Sequence, residues 1–162
     1  NIDFELNISP FITKYKETVT KESSQICLAK SPNKHSRIWT TAVPLSIEHA
    51  RAIESGDIGI DSHRDTHRRR VHEFDMDVMD SRKIWTFGPA ECPTNMLVDK
   101  TIGVQYLNEI KDSTETAFQW VTSQGILADE SMYGCQFNLL DATLNASAIH
   151  RGSGQIIPAV RR

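Results

Sequence analysis

Cationic residues do not outnumber acidic ones in this chain: 18 Lys and Arg stand against 21 Asp and Glu in 162 residues, for a formal net charge of −3. A bulk attraction to polyanions is thereby excluded, and any nucleic-acid contact has to come from a local patch. Cysteine is scarce too. Cys27, Cys92 and Cys135 are odd in number, far apart and without a CxxC spacing. This argues against a zinc knuckle, a redox pair or a disulfide framework, and for reduced thiols in a cytoplasmic protein. No apolar run approaches the roughly 20 residues that would span a membrane, so no membrane partner is expected. Internal repeats and low-complexity tracts are also missing.

What remains is the composition of an ordinary globular domain, long enough to bury a core without staples. Residues 15–20 and 25–30 read as strands, and 37–43 alternates again, making a hairpin whose tip is the turn-rich loop Ser31-Pro32-Asn33-Lys34-His35. Ser46 caps a short helix to about Ser55, stopped by Gly56. A further helix is expected around 65–74, and strands at 83–87 and 95–99. The strongest helical periodicity places Val104, Leu107, Ile110, Ala117, Phe118 and Val121 on one face, with Thr101 as cap and Gly125 as stop. The apolar alternation over 133–144 changes phase at Leu139-Leu140, which predicts a bulge. Residues 145–155 read as a polar loop, and Pro158 as the opening of a helix. Mixed hairpins and helices indicate an α+β, two-layer sandwich rather than a doubly wound parallel sheet.

Two loops carry the residues suited to binding. In His150-Arg151-Gly152-Ser153-Gly154-Gln155, glycines permit close backbone approach, while Arg151 and Gln155 offer planar donors for phosphate or base edges. An ordinary surface turn has the same composition. The hairpin tip adds Lys34, His35 and Arg37, which equally suit a solvated turn. Force comes from the two loops only if they share one end of the sheet. His63 and His67, four residues apart, raise a different possibility, a metal-dependent enzyme; Arg64 stands where a zinc protease needs Glu, and flanking arginines repel a dication.

Several runs, in order and across most of the chain, resemble domain IV of the eukaryotic and archaeal elongation factor 2 family: YKETV at 15–19, KSPNKH at 30–35, RKIW and FGP at 82–89, GVQYLNEIKDS at 103–113, AFQW at 117–120 and AIHRGSGQIIP at 148–158. A related spliceosomal GTPase of the U5 particle shares a similar HRGGGQIIP run; GVQYLNEIKDS favours the translation factor. The resemblance implies a mixed sheet with a left-handed βαβ crossover, as in elongation factor G and 2. It implies residues 1–13 as a linker or the end of a preceding domain III, and 14–162 as domain IV, a fragment without the GTPase domain. GTP and Mg would serve the parent, and this piece would hold no cofactor and no catalytic residue.

By the same resemblance, Ser31, Pro32, Asn33, Lys34, His35, Arg37, Arg151, Gly152, Ser153, Gly154 and Gln155 form a tip that contacts the tRNA–mRNA helix in the decoding site of the small ribosomal subunit during translocation. His150 matches the histidine converted to diphthamide by dedicated synthesis enzymes and ADP-ribosylated by toxins. The family loop reads HADAIHRGGGQ; here Asn145, Ser147 and Ser153 depart from it.

Overall fold

The structure, a computed structural model, describes residues 10–59, 72–74 and 76–162. Strands β1 (Cys27–Lys30) and β2 (Arg37–Pro44) form the expected hairpin, followed by helix α1 (Ile47–Glu54) and the short helix α2 (Val78–Ser81). Strands β3 (Ile84–Gly88) and β4 (Asn95–Asp99) make a second hairpin. The long helix α3 (Leu107–Ser123) leads to β5 (Cys135–Thr143), a single 3-10 turn (Ala148–Arg151) and helix α4 (Ser153–Arg161). The strands join in one five-stranded sheet, ordered β1-β2-β5-β4-β3. All neighbours are antiparallel except β4 and β5, which run parallel through the α3 crossover. The fold is α+β with a mixed sheet, as the sequence predicts.

Two bulges decide which side chains reach which face. In β5, Asp141 pairs with Trp39 and Leu139 with Thr40, leaving Leu140 as the extra residue where the alternation changes phase. The shift keeps both Leu139 and Ala142 in the cluster that also holds Ile110 of α3 and Ile156 and Ala159 of α4. In β3, Trp85 is the extra residue between Ile84 and Thr86. Trp85 packs on the α3/α4 cluster, whereas Ile84 and Phe87 join Met96, Val98 and Ile53 in the second cluster beside α1.

Helix α3 buries Ile110, Thr114, Ala117, Phe118 and Thr122, a three-four spacing that presents one stripe to the sheet. Gly88 lets it come close: a Cβ there would lie 2.7 Å from both Phe118 Cε1 and Thr122 Oγ1. The helix starts later than Thr101. Gly103 and Tyr106 both adopt positive φ, which no helical residue does, so the first turn forms only at Leu107, and Thr101 is buried with its N–H on Asp99 Oδ1. The strand expected at 15–20 is reduced to one bridge, Glu17 to Met132. Instead the Glu17 carboxylate accepts N–H groups of Leu127, Ala128 and Glu130, tying this segment to the loop after α3. The expected helix at 65–74 falls mostly outside the described residues.

His49 gives a test of the second cluster. Its ring stacks on Phe74 with centroids 4.8 Å apart, and burial pushes its pKa from 6.5 down to about 4. The unfolded chain then takes up a proton between these values and the folded one does not, so stability is present above pH 6.5 and falls as pH drops towards 4. At most about 3 kcal/mol is involved, and His49→Gln should flatten the slope in denaturant titrations from pH 7 to 4. An unchanged slope would show that the imidazole is hydrated.

Candidate functional site

The register of the sheet explains why two distant loops meet. Arg37, at the start of β2, lies opposite Thr143, at the end of β5. The turn at 31–36 and the segment leaving β5 therefore sit at the same end. Their contact is direct: Asn33 Nδ2 donates to the His150 carbonyl at 3.0 Å, and the Asn33 N–H donates to Gln155 Oε1 at 3.0 Å. The rings of His35 and His150 lie 4.7 Å apart, tilted by 40°.

Each loop is braced from within. In the hairpin tip, Ser31 Oγ donates to Asn33 Oδ1 at 2.6 Å and accepts from the Ser36 N–H at 3.0 Å, while Asn33 Oδ1 also accepts from the His35 N–H at 3.0 Å. Ser31 is 2% exposed, so it shapes the turn and leaves Pro32, Lys34, His35 and Arg37 outside. Lys34 takes φ 64°, which turns the chain back into β2.

Arg151 is likewise turned inward, although its place in a glycine loop suggests a surface donor. It is 7% exposed. Nε and Nη2 donate to the two Glu109 carboxylate oxygens at 2.8 Å each, and Nη1 donates to the carbonyls of Asn145 and Ala146 at 2.8 and 2.7 Å. Its guanidinium lies 4.1 Å above the Tyr106 ring. With these partners it clamps the loop to the start of α3, and its fork geometry is the reason an arginine serves there.

Residues 145–155, expected as loop, form the 3-10 turn and the first turn of α4. Gly152, with φ −65°, is the helix cap without a side chain to cap it. A Cβ at Gly152 or Gly154 would meet nothing within 4 Å, so neither glycine is demanded by the chain's own packing. Both leave bare backbone at an uncapped helix N-terminus, beside the paired histidines. Pro158 lies inside α4 instead of opening it.

The sequence model for elongation factor G, domain IV, matches residues 59–162, well over half the chain. The chain belongs to that family. The mixed sheet is the architecture of this domain IV, and it includes β1 and β2, which precede the matched span yet pair with β5.

Beside the domain IV tip runs a groove of about 790 Å³ between the hairpin and the two main helices, with Lys30, Lys34, Trp120, Pro158 and Arg161 on its walls. Lys30, Trp120, Arg161 and Arg162 are not singled out by motif. A signal existed: no Asp or Glu occurs between Glu22 and Glu48, or after Asp141, in a chain whose net charge is negative. Among the described residues, no group of three His, Cys, Asp or Glu side chains could hold a metal, and His63 and His67 lie outside them. No described helix is long and apolar enough to cross a membrane.

Proposed function

We propose that this domain IV, spanning residues 14–162, is the RNA-facing tip of an elongation factor of the eukaryotic and archaeal type, promoting GTP-dependent movement of tRNA and mRNA on the ribosome. The observation that carries the reading is the bonding of Asn33 to His150 and Gln155, which joins two polar loops into one exposed end. The GTP and Mg chemistry belongs to the parent's GTPase domain; this domain contributes contact rather than catalysis. Its working surface is Pro32, Lys34, His35, Arg37, His150, Gly152, Ser153, Gly154 and Gln155, with Ser31 and Arg151 as the braces behind it.

The chemistry suits structured RNA. A-form helices display a wide, shallow minor groove of 2′-hydroxyls and phosphates, which imidazole, ammonium and bare backbone N–H groups can contact without reading bases. An uncapped helix N-terminus adds a partial positive charge there. Sequence-blind contact is what a factor acting on every codon requires. In this reading His150 is the diphthamide site, modified by the synthesis enzymes and recognised by ADP-ribosylating toxins. Asn145, Ser147 and Ser153 keep the loop's bonds: Asn145 Oδ1 accepts from the Ser147 N–H at 2.8 Å, and the Asn145 carbonyl accepts from Arg151.

Lys34→Ala and His35→Ala, made in the full-length factor, should slow single-round translocation several-fold while changing stability by less than about 0.5 kcal/mol, as exposed loop changes do. Equal losses of stability and rate would contradict the assignment. Mass spectrometry of native protein should also find the peptide bearing His150 heavier than its sequence.

A further inference from the structure

The groove beside the tip is the largest feature that the reading above leaves unused. Its floor is apolar, with Ile157 and Pro158 from α4 and Pro32 from the hairpin. Its rim is cationic, carrying Lys30 and Lys34 on one side and Arg161 and Arg162 on the other, with no carboxylate in its walls. Among the described residues, none of these four cations has a carboxylate partner, whereas Lys16, Lys100, Lys111 and Arg151 all do. Trp120 is 45% exposed and closes one end, its indole covered by the Arg161 guanidinium at 3.5 Å from the ring centroid. That stack is a flat, cationic wall set next to an apolar floor.

A folded protein whose formal charge is −3 gains nothing for its own stability by gathering unpaired cations around one groove. The arrangement matches one ligand chemistry closely: planar bases joined by phosphates. Bases stack on aromatic rings and on guanidinium planes, and a single-stranded backbone tracks a cationic rim. A duplex fits poorly, because its bases are not free to reach an apolar floor. Lys34 belongs to both the tip and the groove, so a strand lying in the groove continues towards the paired histidines.

We propose that this groove holds an unpaired stretch of an RNA strand, with a base against the Trp120–Arg161 stack and neighbouring phosphates on Lys30 and Lys34. The proposal rests on the reading of the tip as RNA-facing and adds to it a second subsite, for single-stranded rather than helical RNA.

Fluorescence anisotropy of this chain with a labelled oligouridylate of about twelve nucleotides tests it. The paired change Lys30→Ala and Arg161→Ala should weaken binding at least tenfold and reduce the salt dependence by roughly 1.4 in log–log slope, about 0.7 for each lost phosphate contact. Trp120→Ala should weaken binding at least fivefold with the slope unchanged, and Trp120→Phe should restore most of it. All three substitutions alter exposed side chains, and circular dichroism checks that the fold persists. His35→Ala, outside the groove, should leave oligouridylate affinity within twofold. Wild-type affinity in the paired variant, or a preference for a duplex of the same length, would overturn the groove. The tip reading fails separately, if Lys34→Ala and His35→Ala leave translocation by the full-length factor untouched.

Discussion

Phe118→Ala is expected to lower the free energy of unfolding by about 3–5 kcal/mol, the range for removing a fully buried ring that the surroundings cannot replace. Phe118 is 3% exposed and meets Phe137 edge-on, with centroids 5.8 Å apart at 78°. It also fills the space left by Gly88, where backbone rather than a mobile side chain forms the opposing wall. Collapse into the cavity is therefore restricted, and the loss should sit at the upper part of that range. Urea unfolding should show a lower midpoint with an unchanged slope. A shift equivalent to less than about 1 kcal/mol would mean that α3 does not pack on the sheet in this register.

The second large effect concerns Arg151. Arg151→Ala leaves Glu109 and the carbonyls of Asn145 and Ala146 without their donor, and breaking a buried pair costs about 3–5 kcal/mol when both ends are dry. Glu109 is half exposed and can recover water, so a loss of roughly 2–3 kcal/mol is expected. Arg151→Lys should recover little, since one ammonium cannot donate to a carboxylate and two carbonyls while lying on Tyr106. Its distinguishing consequence is at the tip: without the clamp, amide exchange across residues 145–151 should accelerate before the sheet is affected. Full stability in the lysine variant would show that the residue acts only by its charge.

These two residues also mark how far the sequence could be read. The α3 stripe and the bulge at Leu140 were legible, because helical spacing and a phase change in apolar alternation are local signals. The meeting of the two tip loops was an inference from loop composition, and the register of β2 on β5 supplies its cause. Arg151 was misread for a physical reason. A cation between histidine and glycine looks solvent-facing, and its partner Glu109 is 42 residues away on another element.

Helix α4 was hidden by Gly152, Gly154 and Pro158, all of which read as breakers. Its docking of Ile156 and Ala159 against Ile110 and Leu139 outweighs those local preferences. The segment around Glu17 looked like a strand by alternation, yet a single side chain accepting three backbone N–H groups replaces the ladder. The cationic groove was hidden for another reason, being assembled from β1, the hairpin turn, α3 and α4, so that no one run of sequence displays it.

Directed hydroxyl-radical cleavage puts the joint tip to the most direct test. An iron chelate would be tethered to a cysteine replacing Ser153 in the full-length factor, with Cys27 and Cys92 changed to serine, and the factor bound to ribosomes. A second probe at Glu91, exposed in the turn before β4 at the opposite end of the sheet, serves as the comparison. If residues 35 and 150 really present one surface to helical RNA, small-subunit RNA at the decoding site is cut from position 153 and not from position 91. Cuts of equal strength from both ends, or from position 91 alone, would mean that another face of the domain meets the ribosome.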